Sequence, residues 1–328
     1  ESHGRMAIEG FRRAYPGLSS RLYPKDGPDL DEALAGADLV IVHEWTDREL
    51  VRRIGEHRRR RGRYRLLFHD THHRAVSAPE ELPARELEHF DGVLAYGRVL
   101  RNLWLARGWA KRAWTWHEAA DSRVFRPHRG IEKVGDLVWI GNWGDGERTE
   151  ELREFLIEPV MRLGLRARVY GVRYPREAIA ELDRAGIEYG GWLPNHEVPH
   201  VFARFRVTIH VPRRFYSEAL PGIPTIRPFE ALACGIPLVS APWQDTEGLF
   251  RAGLDFRVAY DGSEMERHIS RLLSNPADAQ EMARRGRETI LARHTCMHRV
   301  DELLAIVDEI DAELRAPSPL RSATHART

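Results

Sequence analysis

The chain has 328 residues, 42% hydrophobic and 30% charged, proportions that exclude wholesale disorder and suggest two domains. Its two cysteines, Cys234 and Cys296, exclude a disulfide framework and a cysteine-rich zinc site, and suit a reducing compartment. The net charge is only +1, yet all 50 basic residues except Lys25, Lys111 and Lys133 are arginine. Any bound anion is therefore expected on guanidinium groups.

The first residue is Glu1 and no signal-peptide pattern is visible. Met6, Ile8, Phe11 and Tyr15 fall roughly on one face of an opening helix. Apolar runs of strand length follow at Leu39–His43, Tyr64–His69, Gly92–Tyr96 and Ala113–Trp116. Helical stretches Asp47–Arg60, Leu82–Phe90 and Val99–Gly108 lie between them. This alternation predicts a buried parallel sheet with helices on both faces. Such domains usually begin with a strand, so a first strand and its loop are expected to be missing.

Ser122 to Pro127 reads as a connector. Further strands are predicted at Asp136–Gly141, Ala167–Gly171, Ile187–Tyr189, Val207–Val211, Ile236–Ser240 and Phe256–Tyr260. Helices are predicted at Thr149–Leu163, Arg176–Ala185, Glu197–Phe205, Arg227–Cys234 and Ser263–Leu273. One or two long helices then fill Ala277–Leu314, before a polar tail. The expected fold class is α/β, with two Rossmann-like doubly wound domains facing across a cleft. The domains are placed at 1–124 and 125–300, with 301–328 as a returning helix and tail.

Ligands of open parallel sheets sit beyond the carboxyl ends of the strands. Those ends carry His43-Glu44-Trp45, His69-Asp70-Thr71-His72-His73, Tyr96-Gly97-Arg98 and His117-Glu118. Single histidines there are ordinary loop residues, but the 69–73 cluster is dense enough to suggest function. No second His/Cys/Asp set at ligand spacing accompanies it, so no metal is expected.

Residues 221–240 read as a constrained loop, a short helix and a buried strand. Gly222 and Pro224 shape the loop, Thr225 is placed to cap the helix, Pro228 sits in its first turn and Gly235 ends it. A helix start offers free N–H groups and a positive dipole end to phosphate. Arg227 and Glu230, three apart, share a face. A guanidinium suits phosphate, and a carboxylate accepts two hydrogen bonds from a vicinal diol such as ribose. The plain alternative is a weak exposed ion pair.

The segment Arg227-Pro-Phe-Glu-Ala-Leu-Ala-Cys-Gly235 resembles the donor-nucleotide motif of retaining GT-B glycosyltransferases of the family 4 type. Within that group it is most similar to the spore-maturation (CgeB-like) glycosyltransferases. Ala120-Asp-Ser-Arg-Val-Phe-Arg-Pro127, Val138-Trp-Ile-Gly-Asn142 and Tyr189 to Pro199 agree with it, so the similarity runs through residues 92–300 in order. It departs in two places. The family pattern has two glutamates with seven residues between them, and Gly222 stands where the first would be, with Glu218 as an upstream substitute. The usual Arg/Lys pair after the first donor-domain strand is also missing from Asn142 to Arg148, which passes the phosphate role to Arg173, Arg213 and Arg214.

The resemblance implies transfer of a sugar, with retention and without a metal or cofactor, from a UDP- or GDP-sugar to an unidentified acceptor. It assigns Glu230 to the ribose and Arg227 and Arg213 to the phosphates. Gly222 to Thr225 supply backbone donors, Trp192 and Leu193 lie near the base, and Asn142 and Arg173 complete the donor side. His69 and Asp70 are placed at the reacting sugar, with His43, Glu44 and Glu118 on the acceptor side. Nucleotide-sugar 2-epimerases share the architecture and remain an alternative. Another is a basic-surface binder of nucleic acid or anionic lipid through Arg52–Arg65. That stretch holds only Tyr64 as a stacking aromatic, so no specific nucleic acid is expected. The location is read as cytoplasmic, with peripheral membrane contact left open. A dinucleotide-dependent oxidoreductase is discounted, because the glycines of Gly141 to Gly146 have the wrong spacing.

Overall fold

The computed structural model describes residues 4–144 and 146–315. Among the described residues, ten parallel strands form two sheets. The first sheet holds β1 (Leu39–His43), β2 (Arg65–Asp70), β3 (Gly92–Ala95) and β4 (Ala113–Thr115) in sequential order. The second holds β5 (Gly135–Ile140), β6 (Ala167–Tyr170), β7 (Ile187–Tyr189), β8 (Phe205–His210), β9 (Leu238–Ser240) and β10 (Arg257–Val258). Its order is β10-β9-β8-β5-β6-β7, reversing beside β5 as a doubly wound sheet requires. The near-continuous apolar strands are buried on both sides: Leu66, Leu67, Phe68, Val93, Leu94, Val207 and Ile209 are fully sealed from solvent.

Sequential order in the first sheet has a packing consequence. Right-handed crossovers put successive connections on one face, and the helices Arg48–Arg60 and Arg98–Ala106 cover that face through Val51, Leu100 and Trp104. The other face is covered by the last helix, Cys296–Arg315, whose Ile306 and Ile310 pack on Leu67 and Leu94. Trp116 Nε1 donates to Arg299 O at 2.8 Å, Trp114 Nε1 to Glu309 at 3.0 Å, and Arg112 pairs with Glu313 at 2.6 Å.

Several predicted elements change. Leu82–Phe90 is not an α-helix but loop with short 3-10 turns at Pro79–Glu81 and Ala84–Leu87, because Pro79 and Pro83 interrupt the backbone ladder. Thr149–Leu163 is helical throughout but carries a π-helical turn at Arg153–Ile157. The long C-terminal stretch is two helices, Pro276–Arg293 and Cys296–Arg315. They break at Thr295, which bridges to Ala120 of the connector. The opening helix forms at Gly4–Ala14 but buries none of its residues, and Met6 is 76% exposed.

Candidate active site

A cavity of about 240 Å³ opens beyond the carboxyl ends of both sheets. His72 reaches it from the end of β2, Asn142 and Arg148 from the loop after β5, Arg213 from the end of β8, and Thr225 and Arg227 from the start of the helix Ile226–Cys234. Strand-end loops from the two sheets thus meet at one place.

The helix start is shaped unusually. Thr225 holds φ +63°, one of two positive values among the described non-glycine residues, the other being Arg173 at +58°. This is strain of about 1–3 kcal/mol. Thr225 occupies the N-cap position, but its side chain makes no capping hydrogen bond, against the expectation from sequence. Gly222, φ +96°, lies where an added Cβ would sit 2.7 Å from Thr246 Oγ1, so the loop is closed to any side chain there. An uncapped helix terminus facing a cavity is an anion-binding arrangement.

Arg148, missed as a site residue, supplies its cation. Its Nη1 donates to Val211 O at 2.9 Å and its Nη2 to Asn142 O at 2.5 Å, while Nε is buried without a partner. Burial, and then the Arg213 charge, pull its pKa down to about 10. The other two arginines of the cavity are neutralised: Arg213 by Glu147 at 2.8 Å, and Arg227 by Glu230. Among the described residues, Arg148 therefore carries charge with no carboxylate bonded to it. The signal in the sequence is Arg148 itself, the basic residue that closes the segment Asn142 to Arg148 after β5.

Arg227 and Glu230 do share a face, but they are no exposed pair. Glu230 is 2% exposed, and its Oε1 also accepts from Asn195 Nδ2 at 3.0 Å. Burial raises its pKa although Arg227 opposes this. Asn195 draws the loop carrying Trp192 and Leu193 beside Glu230. Trp192 is 37% exposed, and Leu193 packs on the core beneath. Asn142 lines the cavity and fixes the neighbouring loop by accepting from Val172 N at 3.0 Å. Arg173 and Arg214 do not line the cavity, and Arg214 pairs with Glu151 at 3.0 Å. Glu218 is exposed, and it lies outside the lining, as do Glu230, Trp192 and Leu193.

On the first-sheet side, Asp70 is fully buried. It accepts from Trp104 Nε1 at 2.6 Å and from His72 N at 3.4 Å, which orients the loop behind the cavity. Burial raises it to about 6, and burial plus Asp70 raise Glu44 to about 8. Glu44 is thus the carboxyl that keeps its proton near neutrality, because burial and the neighbouring Asp70 charge both oppose its ionisation. Asp70 has no surface with which to touch a substrate, so it positions rather than reacts. His69, part-buried between His43 and Trp116, is held neutral by burial, with a pKa of about 4. His72 and His73 lie near 4 for the same first reason.

His43 is exposed. Its Nδ1 accepts from Trp45 N at 3.2 Å, which leaves Nε2–H to face Thr71 Oγ1 at 3.2 Å, and that hydroxyl donates to Glu44 Oε1 at 3.2 Å. Glu118 is raised to about 7 by burial and then by Glu230, and its own charge acts on Tyr96 of the first domain, so it stands between the two sides of the cleft. His210, also missed, lines the cavity with Nδ1 on Ser240 Oγ at 2.9 Å. Of the twelve buried side-chain polar atoms without a partner among the described residues, five belong to Arg148 (Nε), His72 (Nδ1), His73 (Nε2), His210 (Nε2) and Glu44 (Oε2) at the cleft, while others, such as Nε of Arg168 and Arg287, lie away from it. Buried polar groups are normally satisfied, so this cluster is what a polar ligand would complete. Among the described residues no group of three or more His, Cys, Asp or Glu is arranged to hold a metal, and no helix is long and apolar enough to cross a membrane.

Residues 148–305 match a family model described as glycosyl transferase-like. No curated protein matches the chain in sequence. Among solved structures, the chain is similar to sucrose-phosphate synthase from Thermosynechococcus elongatus, with TM-score 0.63 and 15% identity over 89% of this chain and 81% of that one. It is also similar to Anabaena HepE in complex with UDP and glucose, with TM-score 0.60 and 13% identity over 83% and 77%. A third is α,α-trehalose 6-phosphate synthase from Burkholderia multivorans, with TM-score 0.61 and 13% identity over 87% and 74%. The chain therefore has the two-domain α/β fold of the GT-B glycosyltransferases, with a glycosyl transferase-like segment at residues 148–305.

Proposed function

We propose that the protein is a glycosyltransferase that takes a sugar from a nucleoside-diphosphate sugar, with retention and without metal, and passes it to an acceptor bound on the first-sheet side of the cleft. The observation that carries this reading is Arg148: a buried guanidinium with an unpartnered Nε, beside a strained and uncapped helix terminus. Both features cost stability in the empty protein, and both are offset when a diphosphate sits in the cavity. The same groups stabilise the negative charge that builds on the departing diphosphate, which is where electrostatic catalysis acts most strongly.

Glu230 would receive the ribose hydroxyls. It is 2% exposed and lies just behind the cavity lining, so the ribose would reach it by displacing Asn195 from Oε1 while Arg227 keeps Oε2. His69, neutral and part-exposed, faces the sugar. The complex of HepE with UDP supports a uridine nucleotide as the first to try. Membrane contact through Arg52–Arg65 has less support, since this surface is largely paired. Arg52 bonds Glu49 and Glu56, Arg53 bonds Asp26 O at 2.7 Å, and Arg61 bonds Asp31 at 2.5 Å.

The test is a thermal-shift screen of UDP, GDP, ADP, TDP and CDP on the protein and on Glu230→Ala. One nucleotide at ~100 times its Kd should add ~2.7 kcal/mol of apparent stability, and Glu230→Ala should abolish the gain. If no nucleotide stabilises the protein, the donor reading fails. Turnover of a nucleotide sugar without any acceptor would point instead to epimerisation.

A further inference from the structure

The loop 221–225, which delivers the helix terminus to the cavity, is held from both sides. Gly222 N donates to Gln244 O at 2.7 Å, and an added Cβ at Gly222 would lie 3.0 Å from Glu247 Oε1. Next to it, Ile223 is buried in the core of the other domain, together with Tyr216 and Leu220. It packs so tightly on Gly97 that a Cβ there would come within 2.4 Å of Ile223 Cγ1. Glu247 itself reaches across the cleft. Its Oε1 accepts from Arg98 N at 2.7 Å and its Oε2 from His117 Nε2 at 2.9 Å, and its side chain is 3% exposed. Arg98 opens the helix Arg98–Ala106, whose own N-cap residue is Gly97 and offers no side chain. The first N–H of a first-domain helix is thus capped by a carboxylate of the second domain, a bond normally made within one segment.

We infer that Glu247 is a positioning residue that ties the nucleotide loop 221–225 to the first domain. Closure of the cleft and formation of the anion site are then one event. When the domains part, Arg98 N and His117 lose their acceptor, Ile223 leaves its slot beside Gly97, and the strain at Thr225 has nothing to hold it. The identity of the ligand rests on the donor reading; the link between the domains does not.

Two measurements separate these levels. Binding of the nucleoside diphosphate that stabilises best in the screen is followed by calorimetry, and the radius of gyration without ligand by small-angle X-ray scattering. Glu247→Ala should weaken nucleotide binding at least tenfold and raise the radius of gyration, although Glu247 does not line the anion cavity. Glu247→Gln keeps an oxygen for Arg98 N and should recover most of both. Gly97→Ala, which leaves Glu247 intact and wedges Ile223 out, should reproduce Glu247→Ala; far-ultraviolet circular dichroism establishes that each variant folds. Wild-type affinity, or an unchanged radius of gyration, in folded Glu247→Ala and Gly97→Ala would overturn the inference. If the unaltered protein binds no nucleotide, the donor reading is lost, and the scattering comparison alone upholds or overturns the link.

Discussion

Replacing Arg148 by methionine separates a binding role from a structural one, because the two predict opposite signs for stability. The guanidinium is drawn from an ordinary value of 12.5 down to about 10, a penalty on the charged form of about 3 kcal/mol. Methionine keeps the aliphatic stem against the Trp139 ring, which the guanidinium now overlies at 5.2 Å. It relieves the buried charge but strips Val211 O and Asn142 O of their donors, at about 1 kcal/mol each. The net effect on urea unfolding should fall between unchanged and about 1 kcal/mol more stable. Nucleotide binding should move the other way. A charge-assisted hydrogen bond to phosphate is worth about 1.5–3 kcal/mol, so calorimetry should show a Kd roughly 10- to 150-fold weaker. Refutation would be an Arg148→Met protein that binds nucleotide within threefold of the parent, or one that loses 2 kcal/mol or more of stability.

The buried carboxyl at Glu44 gives a pH signature. Its folded pKa of about 8 lies above the ordinary 4.5, so the folded state binds more protons between those values and stability falls as pH rises through that window. Glu44→Gln should flatten the decline between pH 6 and 8 in urea melts; an unchanged slope would mean that Glu44 is ionised in the fold. His69, His72 and His73, near 4 in the fold against an ordinary 6.5, act in the opposite sense. Their burial should make stability fall as pH drops from 6.5 toward 4, whether or not Glu44 is replaced. Ile310→Ala removes a fully buried side chain between the last helix and β2–β3, and should cost about 2–4 kcal/mol in denaturant melts. A loss below 1 kcal/mol would mean that the helix contributes little to the first domain.

The periodicity of the sequence was enough to place the strands, because a buried parallel strand leaves an apolar run that little else produces. β1 and β7 begin and end where the sequence predicts, and the remaining strands overlap their predicted spans. The errors fall where a longer-range contact decides the outcome. Leu82–Phe90 has apolar residues at helical spacing, yet they fill the core from short turns because two prolines forbid the ladder. The opening helix has an apolar face with no buried residue on it. In the site, the helix start at 225–227 and the Arg227–Glu230 pair were legible because their geometry is local. Arg148 was not: its distinction is the absence of a bonded carboxylate, and that depends on Glu147 turning to Arg213 instead. Asp70 looked like a reacting group and is a buried anchor for Trp104, since a strand end gives direction but not depth.

Both halves of the cleft share one physical trait, which sets their roles apart from the rest of the fold. Elsewhere, buried charges are neutralised locally, as Asp255 is by Arg251 and Thr289. Around the cavity the protein instead keeps a guanidinium with no carboxylate bonded to it among the described residues, neutral imidazoles and a protonated buried carboxyl, next to a strained backbone turn. None of these features improves the empty protein. Each lowers its stability by an amount that a bound anion or hydroxyl can return, so ligand-induced stabilisation should exceed what contact area alone would give. That excess should shrink in Arg148→Met, where the cost has been removed in advance, even when nucleotide is raised to the same multiple of its weakened Kd. If both proteins gain equally at matched saturation, the strain and the buried charge are incidental to binding, and the cavity is only a well-shaped surface.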